Sequence, residues 1–157
     1  MEIDPGFGVP LHVAWWHAYY NPILISAIVV WLLAELIKWG IRWRMDGRSR
    51  FMHPGGMPSG HSTITSATAM GAGLVEGFDS TVFAVAVVLM AVVVHDAVRL
   101  RGSVGRQAEA INALITEKSS IVPAVFVWYG HRIREVMVGV AFGAVGAALI
   151  LYFLRAL

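Results

Sequence analysis

The chain has no cysteine. That excludes a disulfide framework and any thiolate metal site. Charge is scarce as well: Asp, Glu, Lys and Arg make up 14% of the 157 residues, against 57% hydrophobic ones. This balance, with a mean hydropathy of +0.67, excludes an ordinary soluble domain and points to a membrane protein. The formal net charge is only +2. The basic residues flank apolar runs and do not alternate with aromatics on an exposed surface, so nucleic acid is not an expected partner. A basic leader is missing too. The chain opens with Glu2 and Asp4, and no apolar run begins before Pro22, so no signal peptide is expected. There is no internal repeat and no low-complexity tract.

What the chain does have is one stretch that combines a flexible turn, a helix start and a histidine: Gly55-Gly56-Met57-Pro58-Ser59-Gly60-His61-Ser62. The glycines let the backbone bend and approach a ligand closely. Pro58 restricts one dihedral, and Ser59 or Ser62 is suited to cap the helix that follows. A helix start presents unpaired N–H groups and a partial positive charge, which together favour an anion. His61 adds a titratable proton donor at the same point. Ser59 and Gly60 are therefore candidate phosphate-binding residues.

Hydropathy divides the rest into an all-α integral membrane fold within a single domain. About four transmembrane helices are expected, near residues 22–40, 59–77, 81–98 and 131–154. Residues 1–20 end in Trp15, Trp16, Tyr19 and Tyr20 and read as an interfacial segment. Residues 103–118 are too polar to span. Ala108, Ile111, Leu114 and Ile115 nonetheless give them an apolar helical face, so an interfacial or re-entrant amphipathic helix is expected there. Gly73 with Gly77, and Gly139 with Gly143, have the spacing of tight helix contacts. These contacts would serve intrachain packing or a homodimer equally well.

Alternating the direction of four spans brings Lys38, His61, Asp96 with Arg99, and His131 with Glu135 to one membrane face. That face would also hold 11 of the 12 Lys and Arg residues, with only Arg155 opposite. The positive-inside rule then makes it the cytoplasmic face. His131 and Glu135 are four residues apart at the start of the last span, on one side of a helix. A carboxylate there fixes the imidazole tautomer and stabilises the imidazolium. His131 is thus a candidate nucleophile on phosphorus, and His61 a candidate general acid. Lys38, Arg99 and Arg101 are candidates to hold the phosphoryl oxygens. Asp96 is expected to pair with Arg99 or a histidine. Arg42, Arg44, Arg48 and Arg50 read as topology determinants or headgroup contacts. His12, His17 and His53 read as interfacial, and His95 as a neighbour of the site. The set calls for no metal and no other cofactor, since His53, His61, His95 and Glu135 lack the spacing of a zinc motif.

The segments Pro58-Ser59-Gly60-His61 and His131-x-x-x-Glu135 resemble two signatures of the type 2 phosphatidic acid phosphatases, relatives of the vanadium haloperoxidases. The chain is more closely similar to the divergent bacterial branch of that superfamily. The similarity covers the Asn21-Pro22 opening, Lys38, the Gly-Gly-Met-Pro-Ser-Gly-His turn and Gly130 to Val136. It also covers a stretch matched by Asp96, Arg99, Arg101, Gly105, Gln107, Ala108 and Asn112. The resemblance implies that His131 forms a phosphohistidine, that Glu135 orients it and that His61 is the acid. It also brings in Gln107 and Asn112, with Asp96, as supporting residues. The main superfamily has Arg-Pro seven residues after the lysine, whereas here Arg44 follows Lys38 by six. It has a Ser-Arg pair upstream of the nucleophile, whereas here Val125 and its neighbours are apolar; Arg99 or Arg101 is the candidate replacement.

These readings lead to a metal-independent membrane phosphatase acting on a phosphatidate-type or polyprenyl phosphate or diphosphate. Its partners would be that lipid and the bilayer, and its location the bacterial cytoplasmic membrane. The alternative is a protein that binds or transports the same lipid phosphate without hydrolysis.

Overall fold

The computed structural model describes residues 21–46, 56–117, 123–127 and 131–156. The interfacial reading of residues 1–20, the three histidines His12, His17 and His53, and Arg48 and Arg50 lie outside the described residues. Helices α1 (Pro22–Asp46), α2 (Gly60–Glu76), α3 (Thr81–Val98), α4 (Leu100–Glu117) and α5 (Ile133–Ala156) follow in order, with no strand among the described residues. Three stretches are long and apolar enough to cross a membrane: Pro22–Arg44, Thr81–Glu117 and Ile133–Leu154. The first helix continues beyond its expected end at residue 40.

The molecule has small and hydroxylated residues inside and large apolar ones outside. Its largest fully buried side chains are Val30, Val136, Thr63, Ser26, Ser59 and Ser62. Leu24, Leu32, Val85, Val88, Val92, Met137, Val145 and Phe153 face outward. Water would penalise such a surface, and a hydrocarbon solvent would not. Close helix packing by small residues is what holds a bundle together once the solvent is as apolar as leucine.

Helix α2 is the hub, packing against α1, α3 and α5. It is rich in Ser and Thr, which compete with helix hydrogen bonds when their hydroxyls are unsatisfied. Here the hydroxyls bond back along the helix. Thr63 donates to the Ser59 carbonyl, Thr65 to that of His61 and Thr68 to that of Ile64, at 2.8–2.9 Å. Among the described residues no buried side-chain N or O lacks a partner. The hub can therefore be central without an energetic penalty from orphan polar groups.

Gly139 and Gly143 let α5 lie against α2. A Cβ at Gly139 would come within 2.7 Å of the Ser59 carbonyl oxygen. One at Gly143 would overlap Ser66 Oγ and the Thr63 carbonyl. This pair thus packs within the chain. Gly73 and Gly77 do not form such a face: Phe78 covers Gly73, and Gly77 is the helix cap, at φ +104°.

Helices α3 and α4 are nearly one helix. Arg99 N–H donates to the His95 carbonyl and Ser103 N–H to the Arg99 carbonyl, so hydrogen bonding runs through the junction. The amphipathic segment therefore begins at Leu100, with no linker before it. Thr81–Glu117 covers 37 residues, or about 55 Å, well beyond a hydrocarbon core of about 30 Å. Among the helices, α4 touches only α3.

Candidate active site

His131 precedes α5, and its backbone N–H donates to the Ala97 carbonyl at 3.1 Å. This anchors the residue to the end of α3. Its Nδ1 lies 2.8 Å from Glu135 Oε2, and its side chain is only 8% exposed. With Nδ1–H donating to the carboxylate, Nε2 carries the lone pair and is the nitrogen left for chemistry. Glu135 lies in the first turn of α5, where the helix dipole favours a carboxylate.

The turn before α2 is fixed to the same place. Ser59 N–H donates to the Glu135 carbonyl at 3.2 Å, so the two signature segments are joined through backbone. Ser59 occupies the N-cap position in an extended conformation, but its side chain makes no capping bond. Its Oγ instead accepts from Ser62 Oγ at 3.0 Å, and the residue is fully buried. The contribution of Ser59 here is to hold the turn. Gly60 opens α2 and is buried, while His61, next to it, is exposed. Arg101, His131, Lys38 and Glu35 are all near enough to act on the charge of His61. Helices α1 and α4 and the segment before α5 therefore all bring charge to the start of α2.

The cations are not arranged as the sequence alone suggested. Lys38 is buried at 7% exposure and bonds Glu35 Oε1 at 2.5 Å, within α1. Asp96 pairs with Arg101 at 3.9 Å, not with Arg99 or a histidine. Arg99 is an exposed residue at the α3–α4 junction. Gln107 is exposed on α4. Asn112 is engaged away from the histidines: its Nδ2 donates to the Val125 carbonyl at 2.8 Å, and Val125 N–H donates to its Oδ1 at 2.7 Å. The side-chain amide thus imitates a peptide and holds segment 123–127 to α4. No three His, Asp or Glu residues among those described come together as metal ligands.

Sequence reasoning missed Glu35, and it read Arg42 as a topology determinant or headgroup contact. Glu35 Oε1 lies 2.5 Å from where a Cβ on Gly60 would sit, and Trp31 Nε1 lies 3.2 Å from it. Arg42 Nη2 lies 2.9 Å from the corresponding point on Gly56. Residues 31, 35, 38 and 42 form one stripe of α1 at helical spacing. That spacing of polar tips in an otherwise apolar helix was the available signal.

The profile of the family described as the Divergent PAP2 family matches residues 19–146. The chain belongs to the Divergent PAP2 family. This makes it phosphatase-related, as the two histidine-bearing signatures imply. It is also similar to a Bacillus subtilis (strain 168) protein named "Uncharacterized membrane protein YuiD", with 32% identity over 102 residues. That match covers 63% of this chain and 65% of the relative, so less than two thirds of the relative's length is spanned. No solved structure matches. The apolar exterior and this relative agree that the PAP2-related chain is a membrane protein.

Proposed function

We propose that the chain is a metal-independent phosphatase of lipid phosphates, with four spans and its site at the cytoplasmic headgroup level. The observation that carries this reading is the His131–Glu135 pair at 2.8 Å, joined through backbone to the turn bearing His61. His131 Nε2 attacks phosphorus and the N–P bond forms as the P–O bond to the lipid breaks. His61 gives its proton to the departing lipid oxygen. It then takes a proton from water, which attacks the phosphohistidine, and inorganic phosphate leaves with His131 restored. Glu135 stabilises positive charge on His131 throughout. Lys38, Arg101 and the first N–H groups of α2 stabilise the phosphoryl oxygens. A site between helices at the bilayer surface suits a substrate whose tail stays in lipid. Phosphatidate and polyprenyl phosphates or diphosphates share this chemistry.

The test is phosphate release by purified chain from a panel of lipid phosphates in chelator, beside His131→Ala. Release that the variant loses supports the proposal. Lipid-phosphate binding with no release from any substrate would overturn it in favour of binding or transport without hydrolysis.

A further inference from the structure

The mechanism above uses Lys38 as a positive charge, yet Lys38 does not stand alone. Its ammonium bonds Glu35 Oε1 at 2.5 Å, and both residues are buried, at 7% and 6% exposure. The same carboxylate oxygen abuts Gly60, at the mouth of α2. It also acts electrostatically on His61. A negative charge therefore occupies the place where a helix start and a lysine would otherwise attract an anion.

We infer that Glu35 is a specificity-determining residue. It neutralises Lys38 in the empty site, so that free inorganic phosphate is held weakly and the lipid tail must supply the binding energy. The inference rests on the phosphate-site reading just given. Two opposite charges 2.5 Å apart present almost no net field to an approaching anion, and a phosphate entering beside Gly60 meets the carboxylate oxygen there. Lys38 still has two N–H donors besides the one directed at Glu35. It can thus engage a phosphoryl group that the lipid tail already holds in place. A phosphatase that releases inorganic phosphate into water gains from this arrangement, because its product is expelled once the tail has gone.

The role separates cleanly from a structural one, because it predicts a gain. Inorganic phosphate affinity is measured by phosphorus NMR titration on the full chain in detergent, for Glu35→Gln, Lys38→Met and the double variant. Glu35→Gln leaves a net positive site and is expected to bind phosphate about tenfold or more tightly. Lys38→Met leaves a net negative site and binds more weakly than wild type. The double variant is neutral again and stays within about threefold of wild type, since replacing a buried ion pair by neutral groups is well tolerated. If Glu35→Gln does not fold, the double variant decides: a loss of about tenfold or more would mean that Lys38 is an ordinary clamp. Unchanged or weaker binding by Glu35→Gln overturns the inference. If wild type meanwhile turns over a lipid phosphate, the phosphatase reading survives that failure. If no variant binds phosphate and no lipid is hydrolysed, both readings fall together.

Discussion

Glu135 is the residue whose charge, and not merely its shape, is at stake. Gln at this position keeps an acceptor for His131 Nδ1–H but cannot stabilise the imidazolium. Glu135→Gln is expected to lower kcat by about 10²–10⁴-fold with little change in KM. Steady-state kinetics on a lipid phosphate would check this, and an equal loss in KM and kcat would argue against the role. Asn112 predicts the opposite pattern. Asn112→Ala removes both hydrogen bonds to Val125, at a cost of about 1–3 kcal/mol. The expected readout is faster amide exchange and proteolysis at residues 123–127, with the His131–Glu135 pair intact. Of these residues, the His131–Glu135 contact and the place of His61 at a helix start were legible in the sequence, because spacing and turn chemistry give them. Glu35 was not, because periodicity places a residue on a helix face without saying what lies opposite. Asn112 was legible as a motif residue but not by its task, since its partner is 13 positions away.

At the scale of elements, the apolar runs announced α1, α3 and α5 and the amphipathic pattern announced α4; α2 forms where a helix was expected but is not among the three stretches long and apolar enough to cross a membrane. The ends were less legible. Helix α1 runs on to Asp46 through residues that look like a basic loop. Spacing also failed to separate the two glycine pairs, because GxxxG describes a face and not its neighbour. The α2–α5 contact gives a direct test. Gly143→Ala is expected to destabilise the bundle by about 1–3 kcal/mol, since the new methyl overlaps Ser66 and Thr63. Gly40→Ala meets nothing within 4 Å and should be neutral or stabilise α1 by up to about 1 kcal/mol. Thermal unfolding of the two variants in one detergent would show the contrast. Equal stability would mean that α5 does not approach α2 as described.

For the whole molecule, the open question of direction has a convenient answer in composition. With no cysteine in the chain, a single introduced thiol is the only one present. Arg134→Cys would mark the site end of the bundle, and Asp79→Cys the opposite end; both positions are exposed. In intact cells an impermeant maleimide should label Asp79→Cys and spare Arg134→Cys until the membrane is opened. The reverse pattern would place the site outside. Charge counting predicts this orientation, but the arginines expected to set topology and those proposed to meet phosphate lie at the same end, so composition alone mixes the two causes.

The hydrogen bond from His131 N–H to the Ala97 carbonyl has a consequence for how such a protein diversifies. The chain leaves the bundle after residue 97 and comes back to the same point at residue 131. Helix α4, within that excursion, touches no helix but α3. Beyond Arg101, its length and sequence can therefore drift while His131 keeps its coordinates. Loop closure itself depends only weakly on what lies between two joined ends. A chain built on this bundle is then free to vary the far part of α4 without moving the His131–Glu135 pair.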